Sequence, residues 1–228
     1  MLYLPKPESK TVALVPIKTF HRAKSRMSPT LTLEIRVQLA KWFAANTATT
    51  LQSTVETYAL CDDDETFAEL HSMGVPVIQS PRSGLNESID FSLTWLRNNN
   101  VSYAFVVHSD LPLISISTIE ELLDRTNSHV IITPDRWEAG TNLLGIPYPM
   151  KLKAMFGNNS FYKYSTASLS GHTAEVLRSQ TLGLDIDTIE DLAYVLKRYP
   201  KSKFSMFCRR LFDHDTLAQM PVCNNTET

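Results

Sequence analysis

The residues best placed for chemistry in this chain are cations and carboxylates that follow apolar runs. Lys18, Lys24 and Arg26 come directly after Thr11–Ile17 (TVALVPI). Cations delivered at the end of a buried strand can offset the charge of a triphosphate before a nucleophile approaches. A solvated basic loop is an equal reading, because charge runs are usually surface. Asp110, in His108-Ser109-Asp110-Leu111-Pro112, ends a second apolar run. A carboxylate there is costly unless it is paired, caps a turn or binds a cation, and as a hard oxygen donor it suits Mg²⁺. Asp185 and Asp187 stand two apart in LDIDTIEDL, so on a strand both point to one face. Two such carboxylates repel unless a cation or proton lies between them. The competing reading makes Asp187 a helix N-cap, with Glu190 completing a capping-box pattern; it is compatible with metal binding through Asp185.

Other segments carry weaker signals. Ala139-Gly140-Thr141-Asn142 and Phe156-Gly157-Asn158-Asn159-Ser160 offer backbone and hydroxyl donors to an anion, or are simply polar loops. Asn86 could read a base edge or cap its helix. There is no Walker loop, no dinucleotide fingerprint and no G-x-S-x-G elbow. The six histidines lack zinc spacing, and Cys61, Cys208 and Cys223 form neither a disulfide framework nor a metal knuckle. Cys61 reads as a buried inert thiol.

To position these groups the chain alternates strand and helix patterns. Strands are expected over 11–17, 55–61, 75–79, 103–109, 130–134, 142–146 and 180–186. Helices are expected over 32–54, 62–73, 86–96, 117–125, 189–196 and 201–212, with a Ser-, Asn- and Gly-rich stretch at 156–171. Such alternation implies an α/β fold with a mainly parallel central sheet and helices on both faces. With 228 residues and no internal linker, 1–228 reads as a single domain with an N-terminal extension at 1–10 and a polar tail at 214–228. A net charge of -2 argues against nucleic acid as a partner. No apolar run can span a bilayer and the first ten residues lack a signal-peptide core, so a cytoplasmic protein with no membrane partner is expected. The basic stretch 197–210 is a solvated face, with Phe204, Phe207 and Leu211 as its packing stripe.

Six segments, taken in order, resemble the 2-phospho-L-lactate guanylyltransferase family of deazaflavin coenzyme biosynthesis, which includes phosphoenolpyruvate guanylyltransferases. They are ALVPIK…RAKSRMSP (13–29), GLNESI (84–89), VVHSDLPLI (106–114), GTNLLGIP (140–147), FGNNSF (156–161) and LDIDTIEDL (184–192). The resemblance implies a GT-A-like nucleotidyltransferase that moves GMP from GTP to 2-phospho-L-lactate, phosphoenolpyruvate or 3-phosphoglycerate and releases pyrophosphate. It implies Mg²⁺ on Asp110, Asp185 and Asp187. Thr141, Gly157 and Ser160 match positions that hold the phosphate and carboxylate of the acceptor, a small phosphorylated carboxylic acid. Lys18, Lys24 and Arg26 fall in the nucleotide-phosphate loop and act catalytically, with Asn86 at the nucleotide. A homodimer is compatible with the family. The alternatives are a related transferase using another nucleotide or a sugar phosphate, or a non-catalytic nucleotide-binding module.

Overall fold

Apolar runs bounded by turn residues become strands of one sheet in a computed structural model, which describes residues 6–126, 129–169 and 171–212. Strands β1 (Thr11–Pro16), β2 (Glu56–Cys61), β3 (Val77–Gln79), β4 (Tyr103–Val107), β5 (Val130–Pro134), β6 (Thr141–Pro147) and β7 (Ala174–Val176) lie in the order β3-β2-β1-β4-β6-β5-β7. Every pairing is parallel except the two made by β6, which runs antiparallel to β4 and β5. A sheet covered on both sides needs strands that are apolar throughout, and all five residues of β4 and all five of β5 are buried.

Period-two alternation distributes the strand residues between two cores. Ala13, Val15, Phe105 and Val107 cluster with Ala44 and Leu51 of helix α1 (Leu33–Gln52), Leu70 of α2 (Asp64–Ser72) and Ile119 of α4 (Ile116–Asp124). Val12, Leu14, Ala104 and Val106 cluster with Ile89 and Leu93 of α3 (Leu85–Asn98) and Tyr164 of α5 (Ser160–Ser165). A third cluster joins the far side of α1, through Leu39 and Phe43, to α6 (Ile189–Arg198) and α7 (Lys203–Leu211). Each fully buried Leu, Ile or Phe contributes about 1.5–3 kcal/mol of transfer free energy. No helix of the described residues is long and apolar enough to cross a membrane.

Chain direction changes at β1: β2 and β3 step outward on one side, and β4 returns to the other. A crevice forms at such a switch point, beyond the carboxyl ends of the strands. Because β6 is antiparallel, its first residues lie at the carboxyl end of β4, where His108 N donates to Asn142 O at 2.9 Å. Loops after β1 and β4 and the start of β6 therefore meet at one edge.

Several expectations are corrected. Residues 180–186 form no strand; Gln180–Gly183 turn, and Leu184–Asp187 run irregularly beside the 110 turn, where Ile186 N donates to Asp110 O at 3.2 Å. The edge strand lies earlier, at Ala174–Val176, and is only three residues long. Its pattern, one exposed and two half-buried residues, carried no alternation to find. The stretch 156–171 contains α5, a single turn and a half that polar residues concealed. The N-cap of α6 is Thr188, not Asp187, and its capping-box partner is Asp191, not Glu190. Gly84 occupies the N-cap of α3, so Asn86 caps nothing. Cys223 and the tail from 213 onward lie outside the described residues.

Candidate active site

Asp110 follows β4, and Asp185 and Asp187 are carried on the irregular segment before α6. One carboxylate oxygen from each lies within 4.8 Å of the other two, and all three residues are half-buried. The sequence expectation that 185 and 187 share a face because they are strand residues fails in its reason, since no strand is present. Backbone contacts instead hold the segment. Asn142 Nδ2 donates to Leu182 O at 2.9 Å and to Asp185 Oδ1 at 3.2 Å. Asp191 Oδ2 accepts from Asp187 N at 3.0 Å and from Thr188 N at 2.8 Å, while its other oxygen is bonded to Arg136 Nη2. Arg136 itself lies between the rings of Trp137 and Tyr194, 4.7 and 5.1 Å from their centroids. Sequence reasoning missed Arg136 and Asp191, which both line the larger cavity at this site, because their pairing spans 55 residues and leaves no local spacing to find.

Burial pushes the Asp185 carboxyl up to about 7, and the nearby Asp110 charge adds to it against the Asn142 bond. Burial works the same way on Asp110, but the Lys24 ammonium overrides it and holds that carboxyl below its ordinary range. Lys24 Nζ lies 2.6 Å from Asp110 Oδ2 and 3.4 Å from Asp187 Oδ1 and donates to Ile186 O, with 8% of its side chain exposed. It is a counter-ion inside the carboxylate cluster, not a loop cation facing outward. Its backbone is left-handed (φ 52°), a conformation few non-glycine residues adopt. Desolvation of His108 lowers its pKa, leaving a neutral imidazole against the Phe156 ring.

Two cavities of about 360 and 720 Å³ share Lys18, Arg26, His108, Asp110 and Asp187 and are lobes of one cleft. The smaller adds Arg22 and Lys24, and the larger adds Thr141, Gly157, Ser160 and Asp185. Lys18 is exposed and, among the described residues, pairs with no carboxylate. Arg26 reaches Asp187 Oδ2 at 3.5 Å, but with 70% of its side chain exposed this pair is loose. Ser160 Oγ donates to Thr141 Oγ1 at 3.2 Å, joining α5 to the start of β6. Gly157 has φ +105°, which suits glycine alone, and lets the chain turn into α5. Asn86 lines neither lobe. Its Nδ2 donates to Phe156 O at 3.1 Å and its Oδ1 accepts from Phe156 N at 2.8 Å, so both ends of the amide fasten the 156–160 loop. The cleft thus brings together every singled-out residue except Asn86, which stands behind one wall. Cys61 is buried, with its thiol pushed up to about 12 by desolvation, as an inert core residue should be.

Comparison with known proteins adds a lineage to this geometry. A family model described as Guanylyl transferase CofC like matches residues 11–212. The 2-phospho-L-lactate guanylyltransferase of Methanothermobacter thermautotrophicus is 29% identical over 195 residues, covering 82% of this chain and 84% of that protein. The phosphoenolpyruvate guanylyltransferase of Thermobaculum terrenum is 30% identical over 184 residues, covering 78% and 80%. Among solved structures, a Desulfovibrio desulfuricans protein described as a nucleotide-diphospho-sugar transferase superposes with TM-score 0.72 at 12% identity, covering 94% of this chain and 100% of its own. A cytidylyltransferase of Leptospira borgpetersenii gives TM-score 0.53 at 12% identity, covering 95% and 100%. The α/β nucleotidyltransferase architecture is therefore shared.

Proposed function

Because this chain belongs to the Guanylyl transferase CofC like family, we propose that it transfers GMP from GTP to a small phosphorylated three-carbon acid and releases pyrophosphate. The acceptors in view are 2-phospho-L-lactate, phosphoenolpyruvate and 3-phosphoglycerate, and the setting is cytoplasmic biosynthesis of a deazaflavin coenzyme. One observation carries the reading: a three-carboxylate cluster stands between a basic lobe and a lobe lined by hydroxyl and amide donors.

The residues fit a magnesium ion. Three hard oxygen donors converge, and the Asp185 carboxyl, raised by burial and by the neighbouring Asp110 charge, is one that a cation would neutralise. Asp110, Asp185 and Asp187 would hold the magnesium, which would supply positive charge to offset that of the phosphates. Lys18 and Arg26, from the loop after β1, hold the β and γ phosphates and stabilise charge developing on pyrophosphate. Lys24 holds the Asp110 carboxyl below its ordinary range and pairs with Asp187, so its part is that of an internal counter-ion. Thr141, Gly157 and Ser160 present the acceptor. Its phosphate oxygen attacks the α-phosphorus, the α–β bridging bond breaks, and the electron pair leaves with pyrophosphate. The second pKa of a phosphate monoester is about 6, so the nucleophile is already anionic. No general base is needed, and the half-buried, neutral His108 is not asked to serve as one. Asn86, placed among the nucleotide contacts on sequence grounds, serves in this scheme by fixing the acceptor loop.

Incubation with Mg²⁺, each nucleotide triphosphate and each phosphorylated acid, read by pyrophosphate and product mass, tests the reading. GTP with one three-carbon acid is the expected productive pair; turnover only with CTP or a sugar phosphate would replace it. Asp110→Ala and Asp187→Ala should lose activity by at least about 10³-fold, as expected when transition-state charge stabilisation is removed. Near-normal turnover of either in excess Mg²⁺ would sink the metal assignment.

A further inference from the structure

The basic lobe continues into a third cavity of about 290 Å³ at the end of β2, and the two share Pro16, Ile17, Lys18, Arg22 and Leu85. Its walls are apolar where Pro16, Ile17, Leu60 and Leu85 meet it, Lys18 and Arg22 line the side toward the basic lobe, and the exposed Asp62 is its one acidic lining residue. Asp62 is the first of three consecutive aspartates, and the structure gives each a different part. Asp63 caps α2, accepting from Thr66 N at 2.8 Å, and also takes the Thr19 hydroxyl at 2.9 Å. Asp64 accepts from Gln79 Nε2 at 2.6 Å. Asp62 Oδ2 accepts from Gly84 N at 3.0 Å, and its Oδ1 has no partner among the described residues. One oxygen therefore orients the carboxylate while the other remains available.

We propose that this cavity is the base subsite of the cleft and that Asp62 selects guanine by accepting from the Watson–Crick edge. The proposal rests on the guanylyltransferase reading and assigns its nucleotide specificity. Guanine presents two adjacent donors on that edge, N1–H and the N2 amine, which match a carboxylate. Adenine and cytosine place a ring-nitrogen lone pair there, and uracil flanks its single donor with two carbonyl oxygens, so each meets the carboxylate with repulsion. The Thr141 and Ser160 lobe offers a phosphorylated acid hydrogen-bond donors. Scale agrees: β2 and β4 flank β1, so Asp62 and Asp110 stand about two strand spacings, roughly 10 Å, apart. An extended nucleotide spans that gap between base edge and α-phosphate. Asn86, with its amide fastened to Phe156, leaves the reading of the base to Asp62.

Asp62→Asn reverses half of the pattern: the new amide donates to the O2 carbonyl of xanthine and still accepts from N1–H. The full chain is assayed with GTP, xanthosine triphosphate and inosine triphosphate, by turnover and by calorimetric nucleotide binding. Asp62→Asn should lose about 10- to 100-fold in kcat/KM for GTP, the discrimination expected of one bidentate base contact, and gain a comparable factor for xanthosine triphosphate. The unaltered protein should prefer GTP to inosine triphosphate, which lacks the N2 amine, by about tenfold; this arm requires no variant to fold. If Asp62→Asn and Asp62→Ala both use GTP within about threefold of the parent, or if inosine triphosphate serves as well as GTP, Asp62 does not read the base. Failure of the unaltered protein to use GTP with any acceptor would instead strike the parent reading, and the binding arm would still report on Asp62.

Discussion

Asp185 shows how a single side chain records what its surroundings lack. Burial and the charge of Asp110 hold its carboxyl at about 7, against an ordinary value near 4. Between those values the folded protein binds more protons than the unfolded chain, so without metal its stability falls as pH rises through that window. Asp185→Asn removes this ionisation and keeps the oxygen that accepts from Asn142. Melting in EDTA should therefore show the variant more thermostable than the parent at pH 8, with the gap closing toward pH 5. A gap that is constant with pH would mean that Asp185 ionises without penalty. Lys24 is the counterpart. Its ammonium is fixed by Asp110, Asp187 and the Ile186 carbonyl, so spacing alone could mark it as a cation of the phosphate loop but not as an internal counter-ion.

At the scale of elements, the lobe proposed for the acceptor depends on how α3, α5 and β6 are tied. Asn86, in the first turn of α3, carries the 156–160 loop through two hydrogen bonds to Phe156, and Ser160 then bonds Thr141 at the start of β6. Removing the amide frees the loop while leaving Lys18 and Arg26 in place. Asn86→Ala should raise KM for the acceptor about tenfold or more, since misplacement by an ångström costs up to about 10² in rate, with KM for GTP little changed. A rise confined to GTP would return Asn86 to the nucleotide. The elements themselves were largely legible: β1, β2, β4, β5 and α1 are long, strongly apolar or strongly periodic, and their expected bounds fall within about three residues of those observed. The expected strand at 180–186 failed because an apolar alternation such as LGLDI is also what a buried irregular segment shows when its backbone bonds to a neighbouring turn and to Asn142. The capping residues slipped by one position for a related reason. Thr188 and Asp191 satisfy the same spacing rule as Asp187 and Glu190, and only geometry chooses between them.

Across the whole molecule the third core links the edge that carries the aspartate cluster to the C-terminal helices. Phe204 is fully buried, 5.0 Å from the Phe43 ring and 5.1 Å from Trp42, and the same cluster includes Ile186, between two of the aspartates. Phe204→Ala should cost about 3–5 kcal/mol, a fall in Tm of roughly 10 °C for a domain of this size, measured by thermal unfolding. A fall of under 2 °C would show that α7 is only loosely docked. By itself the sequence determined an α/β fold with cations and carboxylates placed after its strands, because buried strands must be apolar and ligand residues must follow them; that the chain is a nucleotidyltransferase came from the resemblance of its ordered motifs to a known family. What only the tertiary structure decided is how those residues divide their work: that β6 runs antiparallel and so brings Thr141 to the cleft, that Lys24 turns inward, that Asn86 holds a loop, and that Asp62 lines a cavity. Each depends on contacts between residues tens of positions apart, whose pairing is set by strand order and packing and leaves no local pattern in the chain.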